Sequence, residues 1–66
     1  MKNAFHCVIN SKSDVELLEH QKAFKVEYTK RGGYWAVWIA GYSVQDVKTT
    51  FIEAHPDCEY LRSKRS

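Results

Sequence analysis

Two alternating segments joined by a pair of glycines constrain the fold of this chain more than any other feature. Phe, Val and Tyr alternate with Lys, Glu and Thr over residues 24–29, and an aromatic-rich apolar segment, residues 34–40, follows Gly32-Gly33. A period of two is typical of half-buried strands. Two glycines between such segments indicate a tight turn, because two-residue primed turns need positive φ. The sequence therefore predicts a β-hairpin.

The turn also sets which side chains share a face of the hairpin. With Gly32-Gly33 as the turn, Tyr28 pairs with Val37 and Val26 pairs with Ile39. A three-residue turn would move one strand's side chains to the opposite face. The predicted apolar face consists of Phe24, Val26, Tyr28, Trp35, Val37 and Ile39. The predicted mixed face consists of Lys25, Glu27, Thr29, Arg31, Tyr34, Ala36, Trp38 and Ala40.

A helix is predicted directly after the hairpin. Ser43 is a suitable N-cap, and Asp46 three residues later favours the helix N-terminus. An apolar stripe at helical spacing follows, and Pro56 ends the helix near Ala54, because a residue before proline is disfavoured in the α conformation. The stripe consists of Val44, Val47, Phe51 and Ala54.

The two ends of the chain carry weaker signals. Residues 4–9 predict a strand, and the Ser13-to-Glu16 spacing of a capping box predicts a short helix over residues 14–21. Residues 58–61 predict a last strand, and residues 62–66 predict a frayed basic tail.

This order of elements predicts a single small α+β domain over residues 1–61. The strand–helix–strand–strand–helix–strand order is that of a ferredoxin-like fold in miniature, with helices on one face of a small antiparallel sheet. The first connection, residues 10–22, is near the minimum length for joining parallel strands. The alternative is a three-stranded ββαβ layout with an N-terminal arm.

Composition excludes several classes of protein. The 66 residues carry ten Lys and Arg against eight Asp and Glu, a net charge of +2 that is too small to indicate nucleic acid by itself. We find neither an apolar run of membrane-spanning length nor the apolar segment of a secretory signal. We therefore expect a cytoplasmic protein in which Cys7 and Cys58 are reduced, buried thiols.

Candidate chemistry is sparse. His6, Cys7, His55 and Cys58 include the atom types that zinc prefers, but the paired Cys-x₂-Cys spacing is missing and Cys7 alternates with apolar residues. A Cys–His pair lacks a third, orienting group and an oxyanion hole. We therefore predict no metal, no cofactor and no enzymatic activity.

The mixed face of the hairpin is the best candidate for function. We predict a binding site formed by Tyr34, Trp38, Lys25, Arg31 and Lys30. Such a surface suits a modulator, inhibitor or adaptor of a protein partner, since Tyr, Trp and Arg are frequent in interface hot spots. The small size is typical of phage and mobile-element accessory proteins, and we expect a monomer or homodimer. The alternative is a protein that binds single-stranded RNA or DNA by stacking bases on these aromatic rings.

Overall fold

The computed structural model describes residues 7–65, which form one four-stranded sheet and one α-helix. The strands are β1 (Cys7–Val8), β2 (Lys22–Lys30), β3 (Gly33–Gly41) and β4 (Glu59–Arg65). Helix α1 (Val44–Ala54) connects β3 to β4. A single turn of 3₁₀ helix, Lys12–Asp14, lies between β1 and β2.

The predicted hairpin is the centre of the sheet. The strand order is β1-β3-β2-β4, with β2 antiparallel to both β3 and β4 and with β1 parallel to β3. The small α+β class is therefore confirmed, but the sheet is mixed rather than antiparallel. The ferredoxin-like order is not confirmed, because the described residues contain one α-helix and not two.

The two-residue hairpin turn lies one residue earlier in the chain than predicted. Lys30 pairs with Gly33, so the two turn residues are Arg31 and Gly32, with φ of 53° and 80°. Positive φ at both positions is the geometry of a type I′ turn, whose twist matches that of the strands. Tyr28 consequently pairs with Trp35, and Val26 with Val37. This register is two residues from the predicted one, so every strand residue keeps its predicted face.

The apolar face of the hairpin is covered by α1. Val47 and Phe51 from the helix are buried against β2 in a cluster with Phe24, Val26 and Tyr28. The partly buried Trp35, Val37, Ile39, Cys58 and Tyr60 pack around this cluster. Of the predicted helical stripe, Val44 and Ala54 are exposed, because the short helix touches the sheet along little more than one turn.

Two local features fix the start of α1. The Ser43 hydroxyl accepts a hydrogen bond from the Asp46 amide at 3.1 Å, which confirms the predicted N-cap. Gly41 lies directly under the helix: a Cβ there would stand 2.3 Å from Cγ2 of Val47. The last residue of β3 therefore has to be glycine for the helix to approach this closely.

The structure differs from the sequence prediction at both ends. Residues 15–21 are not helical, and the capping interaction forms two residues earlier than predicted, between Ser11 and Asp14. Cys7 is exposed on β1 rather than buried, because β1 is an edge strand of two residues. Residues 4–6 of the predicted first strand lie outside the described residues.

The predicted C-terminal tail is also different. Residues 62–65 continue β4, which pairs with residues 24–29 of β2, from the pair Thr29–Glu59 to the pair Phe24–Arg65. The register shifts by one residue at Leu61, so this residue is the extra one of a β-bulge. No helix within residues 7–65 has the length and apolar character needed to cross a bilayer.

Candidate binding surface

Within residues 7–65, no helix covers the side of the sheet opposite α1, and we call this side the open face. Each strand contributes alternate residues to it, according to the pairing register. From β1 and β3 these are Val8, Tyr34, Ala36, Trp38 and Ala40. From β2 and β4 they are Ala23, Lys25, Glu27, Thr29, Glu59, Arg62 and Lys64.

A groove of about 250 Å³ lies in the open face at the end remote from the hairpin turn. Its lining residues are Lys25, Glu27, Trp38, Lys64 and Arg65. Lys25 is paired with Trp38 on β3 and with Lys64 on β4, so the three side chains form one row across the sheet. Like charges directly opposite each other, as at Lys25 and Lys64, are unfavourable in a sheet unless they meet an anion or solvent.

A buried carboxylate lies in the same groove. Glu27 is only 8% exposed, and its Oε1 accepts a hydrogen bond from Nε of Arg62 at 2.5 Å. The Arg62 side chain is 66% exposed, so this ion pair is buried on one side only. The other carboxylate oxygen of Glu27 has no hydrogen-bond partner among residues 7–65.

The backbone of Trp38 is held by a side chain rather than by a strand. β1 ends at Val8, and Ile9 donates to the Ala36 carbonyl at 2.8 Å. Asn10 then takes the place of a further strand residue. Its Oδ1 accepts from the Trp38 amide at 2.7 Å, and its Nδ2 donates to the Trp38 carbonyl at 3.0 Å. These two bonds fix the edge of β3 where the half-buried indole lies.

The structure brings two of the five predicted site residues together, Lys25 and Trp38. Tyr34 lies on the open face but nearer the turn, opposite Thr29, and is 43% exposed. Arg31 is a turn residue and does not line the groove. Lys30 falls on the other face, where its Nζ lies 3.6 Å from Oδ2 of Asp57.

Sequence reasoning missed Glu27, Lys64 and Arg65 as members of the site. Glu27 was assigned to the correct face but was not considered functional. The other two were placed in a tail, because the bulge at Leu61 interrupts the period-two pattern of β4. A signal was present nonetheless, since Arg62 and Lys64 alternate with Ser63 as side chains on one face of a strand do.

The charge of the protein is unevenly distributed. Of the eight acidic residues, only Glu27 and Glu59 lie on strands, and Glu27 is paired with Arg62. The other six belong to the β1–β2 connection, to α1 and to the turn after it. They are Asp14, Glu16, Glu19, Asp46, Glu53 and Asp57. Three cationic residues and one acidic residue line the groove. Of the cations, Lys25 and Lys64 are open-face residues, whereas Arg65 pairs with Phe24 of the covered face.

The residues considered for metal and thiol chemistry do not form a site in the described part of the chain. Residues 7–65 contain no group of three or more His, Cys, Asp or Glu side chains that could hold a metal ion. Cys7 and Cys58 are free thiols. Burial raises the pKa of the Cys58 thiol, and the neighbouring Asp57 carboxylate raises it further. A raised pKa disfavours the thiolate, which is the nucleophilic form.

Comparison with known proteins gives no relative from which a function could be transferred. No family model, curated protein or solved structure matches this chain.

Proposed function

We propose that this protein binds single-stranded nucleic acid through the open face of its sheet. The observation that carries the proposal is the row formed by Trp38, Lys25 and Lys64, with Arg65 beside it in the same groove. A base stacks on the indole, and the cations neutralise the adjoining phosphates. This pairing of an aromatic ring with a basic track is how sequence-tolerant single-strand binders work.

The energetics of such a surface are favourable despite its small size. Base–aromatic stacking is worth about 1–3 kcal/mol per base. Each phosphate contact adds affinity through release of condensed counterions. Trp38 is held at a fixed edge of β3 by Asn10, so little ordering of its backbone is needed on binding.

The low net charge of +2 does not contradict this proposal. Net charge is an average over the whole surface, and affinity for phosphates depends on the local potential. The acidic residues of this chain lie mostly on the helix and the connections, whereas β4 contributes Arg62, Lys64 and Arg65 to one strand. On the open face Lys25, Arg62 and Lys64 stand against Glu27 and Glu59, and Glu27 is paired with Arg62. The local positive potential therefore comes from the groove, where Lys25 and Lys64 lie side by side.

The test is a fluorescence titration with a ten-nucleotide single-stranded DNA over a series of salt concentrations. We expect quenching of tryptophan fluorescence, because a base stacks on Trp38. With three phosphate contacts, the slope of log affinity against log salt should be about −2, at about 0.7 per contact for single strands. Absence of quenching at low salt would contradict the proposal.

Three variants make the titration specific to the groove. Trp38→Leu retains an apolar side chain but removes the stacking surface, so it should abolish the quenching while Trp35 still reports on the fold. Lys64→Gln should make the salt slope shallower by about 0.7. Lys48→Gln removes the same charge from α1, on the covered side, and should leave the slope unchanged. An equal effect of both lysine variants would exclude the groove as the binding site.

Binding of a protein partner, as a modulator, inhibitor or adaptor, is the second candidate. It is favoured by two exposed large side chains on the open face between the groove and the hairpin turn, Val8 at 48% and Tyr34 at 43%. Affinity capture from host lysate treated with nuclease separates the two functions. A protein partner should be retained at high salt and lost with Tyr34→Ala, whereas capture that disappears with nuclease supports the nucleic-acid proposal.

A further inference from the structure

The groove contains one group that non-specific nucleic-acid binding does not use. Glu27 lines it beside Trp38, is 8% exposed, and has one carboxylate oxygen without a partner among residues 7–65. A carboxylate on a surface that attracts phosphates weakens the attraction. Its presence in the floor of the groove therefore indicates a contact with something other than a phosphate.

The chemistry of a carboxylate limits what that contact can be. An ionised carboxylate only accepts hydrogen bonds. The Watson–Crick edges of cytosine, adenine and guanine carry an exocyclic amino group that donates. Uracil and thymine have a carbonyl oxygen at the corresponding position of the pyrimidine ring. Their one Watson–Crick donor, N3–H, lies between two carbonyl oxygens, and these oxygens repel a carboxylate. An unpaired buried acceptor carries its full desolvation cost.

The geometry matches a single ring. At about 250 Å³ the groove is smaller than the roughly 300–1,000 Å³ of pockets that enclose a whole ligand. Glu27 follows Lys25, the partner of Trp38, by two residues on β2 and lines the same groove, so the edge of a base stacked on Trp38 can meet its carboxylate. Lys25 and Lys64 lie in the same row of the sheet as Trp38. Their flexible side chains can therefore reach the phosphates on either side of the stacked base.

We infer that the groove discriminates between bases: Trp38 stacks one nucleobase, and Glu27 accepts a hydrogen bond from its exocyclic amino group. This inference rests on the proposed binding of single-stranded nucleic acid. It predicts a preference for amino-bearing bases over uracil and thymine. Arg62 donates to Oε1 alone, so the other oxygen of Glu27 is left for the base.

The test compares ten-nucleotide oligomers of deoxycytidine and deoxyuridine at neutral pH. The two pyrimidines match in ring size and charge and differ only on the Watson–Crick edge. Cytosine has a 4-amino group beside an unprotonated N3, and uracil has a 4-carbonyl beside N3–H. We expect the cytosine oligomer to bind more tightly by about tenfold, at the lower end of the discrimination given by good base contacts. In Glu27→Gln the two affinities should agree within twofold, because the amide can donate to the uracil carbonyl.

The salt dependence gives a second readout that a purely structural role of Glu27 would not change. Loss of the carboxylate charge leaves the Arg62 guanidinium unneutralised, although the amide oxygen still accepts from it. The slope in Glu27→Gln should therefore steepen from about −2 towards about −3. Arg62→Gln retains the carboxylate and should retain the preference for cytosine. The urea midpoint of each variant, followed by circular dichroism, establishes that it is folded under the conditions of the titration.

Each outcome decides a different statement. Equal quenching by the two oligomers in the unmodified protein overturns the base discrimination and leaves the proposed function in place. A preference for cytosine that persists in Glu27→Gln shows that another group reads the base. Quenching by neither oligomer overturns the proposed function and the discrimination together.

Discussion

The two faces of the central hairpin are built from the same strands and differ in nearly every physical property. Under α1, Phe24, Val26 and Phe51 are at most 2% exposed and contact one another in a continuous apolar cluster. On the open face the residue between Phe24 and Val26 is Lys25, and the residue after Val26 is the buried, ion-paired Glu27.

The difference indicates a division of roles between neighbouring residues. Burial of apolar area is the main source of stability, and in a domain of this size it is concentrated on the covered face. The open face contributes less to the core and can therefore carry like charges side by side, as at Lys25 and Lys64. Substitutions on the covered face should change stability, and substitutions on the open face should change binding.

The largest effect is expected for Phe51→Ala. The ring is 1% exposed and packs 4.9 Å from the ring of Tyr28, centroid to centroid. Its removal should cost about 3–5 kcal/mol, a large part of the stability of a small domain. The matched control is Ile52→Ala, one residue along the same helix and 44% exposed, which should cost well under half as much. Urea denaturation of both variants checks this, and similar midpoints would mean that α1 does not anchor the covered face.

A smaller effect is expected for Gly41→Ala, which tests how closely the helix approaches the sheet. The new Cβ would overlap Cγ2 of Val47 at 2.3 Å, and overpacking of this kind typically costs about 1–3 kcal/mol. If the cost comes from this overlap, Val47→Ala should be less destabilising in the Gly41→Ala background than alone. If the losses of stability in Gly41→Ala and Val47→Ala simply add in the double variant, the new Cβ is accommodated by a shift that does not involve Val47.

The hairpin shows why part of this division could be predicted from the sequence. Alternation assigns each strand residue to a face. This assignment stays correct when the predicted register is wrong by two residues. The turn was placed at Gly32-Gly33, but Arg31 and Gly32 adopt positive φ instead. Lys25, Trp38 and Tyr34 were therefore assigned to the correct face, although their pairing partners were not.

Other parts depend on contacts that a local pattern does not contain. Residues 62–65 are polar on both faces of the strand, so their alternation gives no apolar signal. They form a strand because they pair with residues 24–27 of β2. The 14–21 segment has a capping signal but no packed apolar face, with Leu17 and Leu18 both more than half exposed. A helix of two turns is not stable without such packing.

Glu27→Gln tests how much the open face contributes to stability, because Glu27 is buried although it belongs to that face. The substitution keeps the shape of the side chain and removes the charge that pairs with Arg62. Hydrogen bonds to charged groups are worth about 1.5–3 kcal/mol, but Arg62 is largely exposed and the amide oxygen still accepts, so we expect a loss of about 1 kcal/mol. Arg62→Gln should cost a similar amount. A loss as large as that of Phe51→Ala would mean that the open face is a second core.

The smallest effect is expected on the covered side of the hairpin tip, where Lys30 meets Asp57. A hydrogen bond with its own backbone lowers the pKa of the Asp57 carboxyl, and the nearby Lys30 ammonium lowers it further. Because the folded state lowers this pKa, the stabilisation is present above the unfolded value of about 3.9 and is lost as the pH falls through the folded value.

Asp57→Asn should therefore make the loss of stability below pH 4 shallower, measured as urea midpoints over the acid range. Lys30→Met should remove only part of the effect, since the backbone hydrogen bond remains. If the urea midpoints of Asp57→Asn and of the unmodified protein fall in parallel with pH, the Lys30–Asp57 pair contributes nothing to stability. The hairpin tip is then held by its turn alone.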